Sequence, residues 1–183
     1  MFNSHILTLD SRLSTLDSYM DVLWSPWRYA YIKDSQTQAT ANLSGCVFCN
    51  ILNSSATDEE NFILYRAEHN FVILNIYPYI SGHLMIVPFV HLADLDQAAK
   101  ETTDELMDLT KRCQTALRQA YQPEGFNLGM NQGRAAGAGV TDHFHLHILP
   151  RWVGDANFMT SVGETRTIPE SLITTYEKLK GKI

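Results

Sequence analysis

His143, His145 and His147 alternate with Phe144, Leu146 and Ile148 in a single short run. Read with the two-residue period of a β-strand, the three apolar side chains enter a core while all three imidazoles line the opposite face. Same-face neighbours on a strand stand roughly 7 Å apart, so they can share a substrate phosphate or a ligand without converging on one point. Imidazole titrates near neutrality and serves as nucleophile, general base or metal ligand. The row therefore admits two chemistries, attack on a phosphate ester with protonation of its leaving group, or coordination of a catalytic metal. As the plain polar face of an exposed strand it would require three coincidences together.

Residues 132–141, Gln-Gly-Arg-Ala-Ala-Gly-Ala-Gly-Val-Thr, run directly into that strand. Glycines let backbone N–H groups approach an anionic oxygen closely, so the loop can form a phosphate nest. A flexible turn between strands explains the same composition, and it is the neighbouring histidines that favour phosphate. Cys46 and Cys49 form a C-x2-C pair, either a redox dithiol, half of a metal site, or two reduced thiols in a turn. A thioredoxin-like motif would open the helix of a βαβ unit, and the surrounding pattern offers none. Zinc would need two further ligands from elsewhere in the chain.

The run His-Phe-His-Leu-His-Ile-Leu resembles the His-φ-His-φ-His-φ-φ signature (φ apolar) of the histidine triad family of nucleotide hydrolases and transferases. Asn75 and the segment from Ser81 through His83 to Pro88 resemble the family's upstream strand-turn-strand, so the matched segments span residues 46–151. Residues 23–29, with Trp24, Trp27 and Arg28, and residues 150–159 further resemble the bacterial diadenosine tetraphosphate phosphorylase branch. The resemblance implies a HIT-like α+β fold, an antiparallel meander sheet of about five strands, and a homodimer. It implies that His145 attacks the α-phosphorus with its Nδ1 proton held by a backbone carbonyl, while His147 and His83 supply charge or hydrogen bonds. Asn75, Gln132, Gly137, Gly139, Val140 and Thr141 would contact the nucleotide or its phosphates. A structural zinc would be held tetrahedrally by Cys46, Cys49, His91 and His143, removing His143 from proton transfer. Water as acceptor would make a hydrolase, inorganic phosphate a phosphorylase. The chain departs from many relatives at Ala138-Gly139-Val140, where they carry a hydroxyl that assists the leaving group. Thr141 is shifted by one residue from that place.

These groups need a scaffold. Residues 62–65 and 71–74 read as a β-hairpin and 83–87 as a third strand. Thr102 with Glu105 reads as a capping box, followed by Leu106, Leu109, Cys113, Leu117 and Ala120 at helical spacing. Cys113 is then a buried thiol, and Pro123 with Gly125 ends the helix. Residues 126–130 form a strand before the histidine strand, and a C-terminal helix runs from Pro169 through Leu179. Strands joined by short turns with one long helix over a face make an α+β domain.

The composition is that of an ordinary globular chain of 183 residues, 45% hydrophobic and 19% charged. Residues 23–183 are expected to form one domain after a flexible leader, 1–22. The polar stretch 33–44 reads as a linker, and the two tryptophans before it as packing or as a platform for a base. A net charge of −6 argues against a long nucleic-acid partner but leaves room for a small nucleotide. The leader lacks a basic start and apolar centre, and no run approaches the roughly 18 apolar residues of a membrane span, so a cytoplasmic protein without organic cofactor is expected.

Overall fold

The computed structural model describes residues 45–155 and 168–183. The leader, Trp24, Trp27, Arg28, the 33–44 linker and the tail after Asp155 up to residue 167 lie outside the described residues. α1 (Val47–Leu52) opens the described part. Then follow β1 (Ile63–Arg66), β2 (Asn70–Leu74) and β3 (Leu84–Pro88). The long α2 (Lys100–Tyr121) leads to β4 (Gly125–Gly129), β5 (Leu146–Arg151) and α3 (Leu172–Leu179). The strands form one five-stranded antiparallel sheet in the order β1-β2-β3-β5-β4. The meander runs through the first three strands; α2 then crosses over one face, and β4 adds at the edge beyond β5.

All five residues of β2 and of β3 are buried, as befits central strands covered on both faces. On one face Val72, Leu74, Leu84, Ile86, Phe144, Leu146 and Ile148 pack against Leu106, Leu109, Cys113 and Leu117 of α2 and Leu179 of α3. The alternation at 144, 146 and 148 thus does what its period dictates. On the other face Phe71, Ile73, Met85 and Val87 pack with Phe48 of α1. Met85 is register partner to His147, so the imidazoles share this second face. Among the described residues no helix is long and apolar enough to cross a membrane.

Three expectations need correction. α2 starts at Lys100 with Ala99 as a cap that makes no side-chain hydrogen bond, and Thr102 lies buried inside the helix. The Glu105 carboxylate does not return to the helix start; it accepts from the N–H of Glu68 and of His69 at 2.9 Å each, and from Asn70 Nδ2 at 2.8 Å. The capping-box spacing therefore serves a tertiary tie to the β1–β2 turn. α3 starts after Ser171, whose hydroxyl accepts from Thr174 N, rather than at Pro169. The histidine strand enters the ladder only at Leu146. Its last register pair with β3 is Ile86 with Leu146, and further on Pro88 has no N–H to give. The Pro88 carbonyl instead receives the His143 ring, and Phe144 N donates to Leu92 O.

Candidate active site and metal cluster

The β2–β3 turn, the residues just ahead of β5 and the start of β5 itself bring His83, His143, His145 and His147 onto one face. His145 Nδ1 lies 3.0 Å from the His143 carbonyl oxygen, which can only accept. Nδ1 therefore carries the proton, and Nε2 keeps the lone pair. Burial lowers the His145 pKa, with the hydrogen bond to His143 acting the other way, so the ring favours its neutral, nucleophilic form.

A hydrogen-bond chain fixes the next two rings. Tyr79 N donates to His83 Nδ1 at 3.1 Å, and Asn75 Nδ2 lies 3.4 Å from the same nitrogen. Asn75 is itself oriented, since its Oδ1 accepts from Tyr77 N at 2.9 Å. With Nδ1 an acceptor, the proton of neutral His83 sits on Nε2, which reaches His147 Nδ1 at 2.9 Å. By the same reasoning His147 presents an Nε2–H. Burial, then the neighbouring His147 and His145 rings, hold His83 down to about 3. Burial, then His145, hold His147 down to about 4. The pair is neutral near pH 7, a directed donor relay ending beside His145, whose ring centroid is 4.7 Å from that of His147.

His143 faces elsewhere. Its Nε2 lies 2.9 Å from the Pro88 carbonyl oxygen, so this nitrogen carries the proton and Nδ1 is left with its lone pair. Nδ1 stands 3.3 Å from Cys46 Sγ and 3.7 Å from Cys49 Sγ, and Cys49 Sγ is 3.3 Å from His91 Nδ1. The four ligand atoms all lie within 4.8 Å of one another and could hold a metal ion. Tetrahedral zinc bond lengths imply S···N edges of about 3.6 Å, which the observed separations straddle. Two thiols, two imidazoles and a ring tautomer set by an outer carbonyl are the donor set and outer support a zinc would need. Burial, then the hydrogen bond with Cys46, raises the Cys49 thiol. The pair does open a helix, α1, but no βαβ unit follows it. Cys113 is buried in the core, and burial pushes its thiol up to about 12.

The loop ahead of the triad leaves the sheet at Gly129, register partner of His147, and the chain rejoins the ladder at Leu146. It closes a 3₁₀ turn, Arg134–Ala136, between Gly133 and Gly137, both at positive φ. Gly137 N and Ala138 N are spent on Arg134 O and Gly133 O, which leaves Gly139 N and Val140 N as donors without a partner among the described residues. Gln132, Gly137 and Gly139 are exposed, and Val140 packs against the histidine-side core. The Thr141 hydroxyl donates to Asp142 Oδ1 at 2.8 Å and so is engaged beside its own chain. Arg151 pairs with Asp155 and reaches Asn127, holding the strand end.

Two side chains at the site carried no sequence signal of their own. Phe48, buried in α1, lies edge-on to His143 at 5.4 Å and tilted against His145 at 5.1 Å. Tyr79 packs on His83 and His147. Their aromatic character was legible; their partners, distant in sequence, were not.

Residues 56–153 match the model of the HIT domain. The chain belongs to the HIT family. This HIT chain is 36% identical over 153 residues to a Mycobacterium tuberculosis protein named AP-4-A phosphorylase, covering 82% of this chain and 77% of that one. It is 30% identical over 122 residues to the Saccharomyces cerevisiae adenosine 5'-monophosphoramidase HNT1, covering 66% and 72%. Among solved structures, a zinc-bound histidine triad family protein from Mycobacterium smegmatis superposes with a TM-score of 0.61 at 29% identity, over 75% of this chain and 92% of the other.

Proposed function

We propose that this HIT chain is a nucleotidyl hydrolase or transferase that cleaves dinucleoside polyphosphates through a nucleotidyl-histidine on His145. The reading is carried by the 3.0 Å contact that fixes the His145 Nδ1 proton and leaves Nε2 as nucleophile. Phosphoryl centres react chiefly through positioning and charge neutralisation. In diadenosine tetraphosphate, the Nε2 lone pair forms a P–N bond to the α-phosphorus while the bond to the bridging oxygen breaks, releasing ATP. Inorganic phosphate then displaces His145 to give ADP, or water does so to give AMP; either restores the free imidazole and releases the acceptor's proton.

His147, backed by His83, donates its Nε2–H towards the bridging oxygen, and Asn75 acts by fixing His83. Gly139 N and Val140 N hold non-bridging oxygens, while Gln132, Gly137 and Thr141 frame the phosphate path. Val140 supplies no hydroxyl to the leaving group. A polyphosphate leaves as an anion whose terminal group titrates near about 6, so it needs little protonation. An amine, protonated up to about pH 10, leaves only with a proton. That contrast favours dinucleoside polyphosphates over adenylyl phosphoramidates, the second reading, which the name of the yeast relative supports.

Cys46, Cys49, His91 and His143 would hold a structural zinc. Four protein ligands leave no open position, so the ion would supply a cross-link from α1 to the catalytic strand and no chemistry. The edge of β4, where Leu128 is exposed, is where we place the contact of a homodimer.

The test is the product profile from diadenosine tetraphosphate with and without added phosphate. ADP plus ATP formed only with phosphate identifies a phosphorylase, and AMP plus ATP formed in water a hydrolase. Binding without turnover under both conditions would refute the catalytic reading.

A further inference from the structure

Tyr79, on the β2–β3 turn that carries His83, is 47% exposed. Its centroid is 4.7 Å from that of His83, tilted, and 6.0 Å from that of His147, stacked at 29°. The same residue's N–H donates to His83 Nδ1. The half-exposed ring therefore packs against both members of the relay, between them and solvent. We propose that Tyr79 is a positioning residue that shields the His83–His147 relay from water and holds the two rings in register.

An imidazole reached by water can protonate, and a protonated pair would lose the directed hydrogen bond, because His147 Nδ1 would become a donor facing His83 Nε2–H. Among the described residues, the titratable groups that act electrostatically on the pair are histidines, His147 and His145 on His83, and His145 on His147. Asn75 and the Tyr79 amide add neutral hydrogen bonds, and Met85 faces His147 from β3. With no carboxylate among the described residues placed to stabilise the imidazolium, exclusion of water is the main device that keeps the relay neutral. The benzene ring supplies that cover, so the hydroxyl is dispensable.

The experiment compares the full chain with Tyr79→Phe, Tyr79→Leu and Tyr79→Ala. Histidine NMR resonances of His83 and His147, followed against pH, read the relay without any substrate. Tyr79→Ala should raise the titration midpoints of the pair by about one pH unit or more, Tyr79→Leu by less, and Tyr79→Phe should leave them in place. The kinetic consequence rests on the nucleotidyl-histidine reading. The acidic limb of kcat against pH should move up by the same interval in Tyr79→Ala, lowering kcat about tenfold at the foot of the wild-type limb, with KM nearly unchanged. Unmoved midpoints in both Tyr79→Ala and Tyr79→Leu would overturn the proposal, as would a shift in Tyr79→Phe equal to that of alanine. If the wild type turned over no nucleotide, the functional reading would fall while the titration still decided the role of Tyr79.

Discussion

Gly82 immediately precedes His83, and replacing it with alanine is expected to cost far more stability than the same change at Gly137. Both backbones are left-handed, φ +77° at Gly82 and +81° at Gly137. An L side chain there costs about 1–2 kcal/mol. A Cβ at Gly137 meets nothing within 4 Å, so backbone strain is its whole penalty. A Cβ at Gly82 would lie 3.1 Å from Leu117 Cδ2 and 3.2 Å from Pro150 Cγ. The leucine end can turn, but the proline ring of β5 cannot, and such overpacking adds about 1–3 kcal/mol. Gly82→Ala should therefore lose about 2–5 kcal/mol against about 1–2 for Gly137→Ala. Urea unfolding of both variants at neutral pH, with unchanged m, measures the difference. Because the displaced turn carries His83, kcat of Gly82→Ala should fall as well, even where the variant is fully folded. Equal losses at the two glycines would refute the packing argument.

Asn75→Ala removes the acceptor for Tyr77 N and loosens His83; a loss of about 1 kcal/mol would lower kcat roughly fivefold, and steady-state kinetics with unchanged kcat would contradict it. Burial works to raise the Glu105 pKa, but the hydrogen bonds from Asn70, His69 and Glu68 outweigh it and hold the carboxyl below its ordinary value. A depressed folded pKa contributes stability above the unfolded value of about 4.3 that is lost as pH falls through the lower folded one. Wild type should thus exceed Glu105→Gln by about 2 kcal/mol at pH 7 in urea unfolding, and the gap should close in strong acid; a gap independent of pH would rule this out. Metal analysis of the purified protein should find zinc that is lost in Cys46→Ser, and chelation should lower the thermal midpoint. Metal-free wild type with an unaltered midpoint would remove the cross-link.

The histidine alternation, the strand order up to β3 and the long helix were legible because each rests on a local period. The apolar partners at 144, 146 and 148 had to face the core that α2 covers. The pairing of Cys46 and Cys49 with His91 and His143 was reachable only by family likeness, since no local rule joins residues so far apart. Thr102 and Glu105 misled because a capping box and a tertiary tie share one spacing, and only the β1–β2 turn decides between them. The late entry of the triad into the ladder depended on the partner strand ending in Pro88, which a reading of the triad run alone does not see. The Phe48 and Tyr79 contacts arise from long-range packing and had no sequence period to betray them.

The most direct test of His145 as nucleophile is intact-mass and peptide mass spectrometry of protein quenched in acid-free medium during turnover of diadenosine tetraphosphate. The account predicts one adenylyl adduct on the peptide containing His145, absent together with turnover in His145→Ala. Undiminished cleavage by His145→Ala, or an adduct on another residue, would contradict it.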